Sequence, residues 1–174
     1  MLIGIIIARK GSKRIKNKNI RNFKNKPLYT WSIRTLKKSK IFKKIIISTD
    51  HPSIIKYAKS FGANMILNRK KELANSRATT IEVVKDVIME LEKKKIIFNS
   101  VCCMYPTSPL TSVDDIKRSY AISKKNQKKF IFPVYNSKIN QIKKRELENF
   151  YKIKSLNEKN KKFINKNFID AGQF

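Results

Sequence analysis

The chain has 174 residues, 41 of them Lys or Arg against 12 Asp or Glu, giving a formal net charge of +29. Its length fits one domain with a sizeable core, and no apolar run could span a bilayer, so no membrane partner is expected. The charge first suggests nucleic acid, but the lysines run through every predicted helix and loop and travel with many Asn and Ile. An AT-rich coding sequence writes that mixture, so no specific nucleic-acid partner is expected.

Leu2 to Ala8 is an apolar run broken only by Gly4, which suits a strand buried on both faces. It empties into the polar loop Arg9-Lys10-Gly11-Ser12-Lys13-Arg14-Ile15-Lys16-Asn17-Lys18-Asn19. Such a loop at a strand's carboxyl end can hold phosphates, with amides near Gly11 and Ser12 pointing at the anion and Arg9, Lys13 and Lys18 neutralising it. Lys10, Arg14 and Lys16 read as solvated. Pro27 closes the loop, and a helix follows from Leu28 to about Ser39. Lys44 to Thr49 forms a second buried strand. Asp50 reads as the cap of the next helix and His51, the only histidine, as an exposed turn residue. Pro52 opens that helix, whose apolar face is Ile54, Ile55, Ala58 and Phe61, and Gly62 ends it. Asn64 to Leu67 is the third strand.

Thr79 or Thr80 caps the next helix, with Ile81, Val84, Val87, Ile88 and Leu91 at helical spacing. Ser100 to Met104 is the fourth strand. It carries both cysteines, Cys102 and Cys103, whose adjacency suits neither a disulfide nor a metal and fits small side chains in a reducing compartment. A loop held out of helix by Pro106 and Pro109 follows. Tyr105 reads either as a core ring with its hydroxyl at the surface or as a cleft residue. Ser112 and Asp115 form a capping box for a helix from Val113 to about Lys124, where Asp114 and Asp115 favour the dipole. Phe130 to Tyr135 is a fifth strand. Alternating strands and helices predict an α/β, Rossmann-like fold with a mostly parallel sheet and helices on both faces. Ligands in such sheets bind at the carboxyl ends of the strands, which gathers the Arg9 loop, Asp50, the Arg69 segment and the Tyr105 loop around one crevice. From Asn136 the pattern degrades: Phe150 to Leu156 alternates like an exposed strand, and Asn157 to Asn167 is polar and basic. The chain ends in mid-pattern at Phe174, so a fold incomplete at its C-terminus is expected. No signal peptide is recognisable at the N-terminus, and a cytoplasmic protein is expected.

Several blocks, taken in order, resemble the cytidylyltransferases that activate nine-carbon keto-sugar acids, the CMP-sialic acid synthetase family. They are Ala8-Arg9-Lys10-Gly11-Ser12-Lys13-Arg14-Ile15 with Lys18-Asn19, then Ser48-Thr49-Asp50, then Arg69 with Glu72-Leu73-Ala74, then Pro106-Thr107-Ser108-Pro109. The resemblance covers nearly the whole chain as a single domain, residues 1–174, with about 136–165 as the insertion through which family members dimerise. Arg77-Ala78-Thr79-Thr80, Cys102-Cys103-Met104-Tyr105 and Asp170-Ala171-Gly172-Gln173-Phe174 lean toward the pseudaminic acid branch. Departures are Lys10 for a second glycine, Lys70 for proline, Asn75-Ser76 for acidic residues, and Asn160 to Asn165 without an acidic residue.

The resemblance implies transfer of CMP from CTP to a nonulosonic acid, with pyrophosphate leaving. Pseudaminic acid is expected as acceptor, with N-acetylneuraminate or legionaminate as alternatives. A basic nucleic-acid-binding α/β protein is the reading from another class. The implied catalytic cations are Arg9, Lys13 and Lys18. The implied nucleotide site adds Ile7, Ala8, Gly11, Ser12, Asn19, Arg69, Arg77, Thr80, Tyr105 and Thr107, with Asp170 and Gln173 near the sugar. The family implies Mg²⁺ as cofactor, held by an Asp-x-Asp pair beyond the position matching Phe174. No Asp-x-Asp occurs in the chain, so weak CTP binding and little or no catalysis are expected of it. A homodimer is also implied.

Overall fold

The computed structural model describes residues 1–12, 14–126, 130–136 and 168–170. The chain divides into two compact units, one built on Met1–Phe132 and one spanning Pro133–Ala171. The first unit carries β1 (Leu2–Ile7), a 3₁₀ turn (Lys18–Ile20), β2 (Asn22–Phe23), β3 (Lys26–Pro27), α1 (Leu28–Ser39) and β4 (Lys44–Thr49). It continues with α2 (Pro52–Tyr57), β5 (Met65–Asn68), a second 3₁₀ turn (Lys71–Leu73), α3 (Thr80–Lys93), β6 (Ser100–Met104) and α4 (Val113–Asn126).

Four of the strands form one all-parallel sheet in the order β5-β4-β1-β6. The central strand is apolar on both faces because both faces are covered. On one side Ile6, Ala8, Ile45 and Ile47 pack with Tyr29, Ile33 and Leu36 of α1, Ile54 of α2 and Ile116 of α4. On the other, Ile3, Ile5 and Ile46 pack with Val87 and Leu91 of α3. Each fully buried Ile or Leu contributes about 1.5–3 kcal/mol of transfer free energy. Gly4 lets α1 lie close on β1: a Cβ there would stand 2.9 Å from Leu36 Cδ1. The polar loop is shortened by a hairpin, β2 against β3, whose two linking residues Lys24 (φ 46) and Asn25 (φ 61) supply the positive φ of a tight hairpin turn.

The caps of α3 and α4 follow the expected chemistry. Thr79 is the cap of α3, with a reciprocal capping box to Glu82. Asp115 N donates to Ser112 Oγ at 3.0 Å at the start of α4. The stripe on α3 is rotated from the expected one: Val83, Val87 and Leu91 are buried, whereas Ile81 is 65% exposed. The second helix is also shorter than expected. After Tyr57 the chain tightens into turns, with Ser60 Oγ donating to the Tyr57 carbonyl at 2.7 Å and Gly62 at φ 107, so Ile55 and Phe61 are left outside the core.

The expected fifth strand is corrected. Strand structure starts only at β7 (Val134–Asn136), because Pro133 has no N–H to give to a ladder. It pairs antiparallel with β8 (Phe168–Asp170), in the register Val134↔Asp170, and that pair is what is described of the second unit. Lys13, Gln173, residues 137–167 with the expected dimerisation segment, and the alternating stretch 150–156 lie outside the described residues.

Candidate functional site

Thr49, the last residue of β4, organises the sheet edge on which the site stands. Its hydroxyl donates to the Ala8 carbonyl at 2.5 Å and accepts from His51 N at 3.0 Å, so one buried side chain ties the end of β1 to the start of α2. Ser48 does the same for β5: Arg69 Nε donates to Ser48 Oγ at 3.1 Å and Arg69 Nη2 to the Ser48 carbonyl at 2.8 Å. Arg69 is 7% exposed and makes no ion pair among the described residues. Burial lowers its pKa, the charge of Asp50 opposes that shift, and Arg9 adds to it. A buried guanidinium with donors to spare calls for an acceptor-rich partner.

Asp50 and His51 exchange the roles expected of them. Asp50 Oδ1 accepts from Lys10 N at 2.7 Å, bracing the basic loop. His51 is the cap of α2: its Nδ1 accepts from Ser53 N at 3.2 Å, and the residue is only 6% exposed. Burial pushes its pKa below 6.5, the charge of Lys10 lowers it further, and Asp50 opposes both. The folded state therefore favours neutral His51. Its contribution to stability is full above the unfolded value of about 6.5 and is lost as pH falls through the lower folded value. Urea midpoints should decline from about pH 7 to 5, and His51→Asn, which keeps an acceptor at the cap, should flatten that decline. An unchanged slope in the variant would rule His51 out as its source.

At the carboxyl ends of the strands lies a cleft of ≈ 630 Å³. Of the expected site residues it brings together Ile7, Arg9, Ser12, Lys18, Asn19, Arg69, Thr80, Tyr105 and Thr107. Its lining also includes Arg14, Asn75 and Thr79, which the sequence alone does not mark as ligand groups. Thr80 Oγ1 and Tyr105 Oη lie 3.1 Å apart, joining α3 to the loop after β6, and Ser32 Oγ of α1 holds the Tyr105 carbonyl at 2.8 Å. Tyr105 is thus a cleft residue, half-buried. Asn75 Oδ1 accepts from the Arg77 and Ala78 amides at 2.7 and 3.0 Å, which shapes the 75–78 segment.

Other expected site residues stand apart from this lining. Ala8 is fully buried, its amide donating to the Ser48 carbonyl at 2.9 Å, so it supports the strand end and has no N–H left for a ligand. Arg77 and Gly11 are exposed and outside the lining. Two of the described loop amides are already engaged: Lys10 N by Asp50, and Ser12 N, one of the two expected at an anion, by the Lys10 carbonyl at 2.9 Å. Asn19 Nδ2 donates to the Arg9 carbonyl at 2.8 Å and braces the start of the loop. Asp170 belongs to the second unit.

The lining contains neither Asp nor Glu, and no group of three or more His, Cys, Asp or Glu stands together among the described residues. That donor set does not suit Mg²⁺, which is held through carboxylates. A second groove of ≈ 770 Å³ runs beside β6 between α3 and α4, lined by Val84, Ile88, Cys102 and Tyr120. It carries one cation, Lys85, where the first carries four. Burial raises both thiols, Cys102 and Cys103, to about 12, so neither supplies a thiolate near neutrality.

Residues 3–167 match the family model described as cytidylyltransferase. The chain is 41% identical over 128 residues to a pseudaminic acid cytidylyltransferase of Campylobacter jejuni subsp. jejuni serotype O:2, covering 74% of this chain and 55% of that protein. It is 42% identical over 125 residues to a Helicobacter pylori protein named pseudaminic acid cytidylyltransferase and UDP-2,4-diacetamido-2,4,6-trideoxy-beta-L-altropyranose hydrolase, covering 72% of this chain and 24% of that one. Among solved structures, CMP:2-keto-3-deoxy-manno-octonic acid synthetase complexed with CTP superposes with a TM-score of 0.59 at 16% identity, covering 78% of this chain and 51% of that chain. At that identity the likeness concerns the fold. The chain spans about half the length of the Campylobacter relative it matches.

Proposed function

The chain belongs to the cytidylyltransferase family, and from that premise we propose that its cleft binds CTP for transfer of CMP to a nonulosonic acid, pseudaminic acid first. One observation carries the reading: four cationic side chains, Arg9, Arg14, Lys18 and Arg69, meet hydroxyl-bearing Thr80, Tyr105 and Thr107 in one cleft at the strand ends. Arg9, Lys18 and Arg14 would neutralise the triphosphate, with Lys13 as a further loop cation. In the transfer, the sugar's anomeric hydroxyl attacks the α-phosphorus, the bond to pyrophosphate breaks, and the hydroxyl proton passes to solvent. Such a step asks the protein for positioning and charge neutralisation more than for covalent chemistry.

Arg69 supplies the preference for cytosine in this proposal. A guanidinium only donates, and cytosine presents two acceptors, O2 and N3, where uracil has an N3–H that would meet the donors head-on. Thr80 would reach the ribose. Asp170 and Gln173 are proposed at the sugar, in a homodimer, and the two free thiols suit a reducing compartment such as the cytoplasm. The acceptor sugar is supported by the names of the relatives above. The test compares nucleotides: CTP should raise the thermal unfolding midpoint more than UTP or ATP at equal concentration. Equal shifts for all three would sink the proposal.

A further inference from the structure

We propose that this cleft takes up the free nucleoside triphosphate, not its magnesium complex, so that Mg²⁺ competes with the protein for the phosphates. The inference rests on the CTP reading and goes beyond it, because the usual expectation is that Mg²⁺ accompanies a nucleoside triphosphate into its site.

Two observations carry it. First, the described lining sets Arg9, Arg14, Lys18 and Arg69 against no carboxylate at all. A divalent cation brought among four protein cations finds no carboxylate in the described lining, Asp50 being held on Lys10 N outside it, and cancels two of the negative charges those cations would meet. Second, most of the neutral oxygens that could complete a coordination shell are already engaged. Thr79 Oγ1 donates to Glu82 Oε2 at 2.8 Å and accepts from Glu82 N at 3.2 Å. Thr80 Oγ1 and Tyr105 Oη bond each other at 3.1 Å. Asn75 Oδ1 accepts two backbone amides, from Arg77 and Ala78. Of the side-chain oxygens, the Ser12 and Thr107 hydroxyls and Asn19 Oδ1 remain, and three neutral oxygens with no carboxylate among them do not hold Mg²⁺ against bulk water.

The experiment titrates the full chain with CTP in EDTA and in excess MgCl₂, at ionic strength matched with NaCl so that screening is equal. CTP should bind about tenfold more weakly with Mg²⁺, the size of one charge-assisted hydrogen bond that the phosphates give up to the ion. CMP, whose single phosphate holds Mg²⁺ poorly, serves as the control and should bind alike in both buffers. Tighter CTP binding with Mg²⁺, or equal binding, overturns the inference while leaving the nucleotide reading in place. Equal weakening of CTP and CMP also overturns it, since the ion would then act on the protein and not on the triphosphate. If neither nucleotide binds in either buffer, the reading of the cleft fails, and the inference with it.

Discussion

Arg69→Met is expected to lower CTP affinity about a hundredfold, ~3 kcal/mol, while the urea midpoint reports a stability within ~1 kcal/mol of the parent. The two readouts separate because of what surrounds the side chain. Arg69 uses two donors on Ser48, one to the hydroxyl and one to the carbonyl. Removing them leaves the Ser48 carbonyl with a donor, Ala8 N at 2.9 Å, and takes from the buried Ser48 hydroxyl its donor on Arg69. The variant also removes a buried charge that has no ion-pair partner among the described residues, which offsets the missing hydrogen bonds. Ligand binding gains no such compensation, because the remaining donors are those proposed for the cytosine edge. Arg69→Lys should recover little, for an ammonium keeps the charge and loses the fork. Unchanged CTP affinity in Arg69→Met would remove Arg69 from the nucleotide site.

Thr49→Val should cost about 2–4 kcal/mol of stability, measured as a fall in urea midpoint at constant slope. The replacement has nearly the same shape, so packing changes little. Two buried backbone groups lose their partner at once: the Ala8 carbonyl, bonded by Thr49 Oγ1 at 2.5 Å, and the His51 amide, 3.0 Å from the same oxygen. Each unsatisfied group carries its own desolvation penalty of about 1–3 kcal/mol. Since Ala8 leads directly into Arg9, the variant should also loosen the basic loop. A cost under about 1 kcal/mol would mean that the strand end is held by something other than this hydroxyl.

Much of the fold was legible because its signals are local. Largely apolar runs such as Lys44–Thr49 and Ser100–Met104 announce strands by composition, and Thr79 with Glu82 announces a helix start by spacing. Chain order alone then brings Arg9, Arg69 and Tyr105 to one sheet edge. What stayed hidden was where side chains turn once they arrive. Asp50 is adjacent to a helix start and could cap it, yet it reaches forty residues back to Lys10 and leaves the cap to His51. Arg14 looks like any loop lysine or arginine, and only the folded loop places it in the cleft. Sequence likewise cannot show that the Ser12 amide closes on the Lys10 carbonyl, which takes one amide from the expected backbone nest. Pro133 is itself a readable signal, because a residue without an N–H inside a core strand argues against that strand.

Despite a net charge of +29, the chain is proposed to hold a nucleotide site that selects its base. The most direct measurement is the affinity of the full chain for CTP, UTP and ATP in EDTA across a salt series. A cleft that reads cytosine through Arg69 predicts that CTP stays the preferred ligand as salt rises, with the three affinities falling in parallel and the ratio between them preserved. Three nucleotides binding alike and fading together would show a basic surface attracting phosphate charge and nothing more, and would contradict the account.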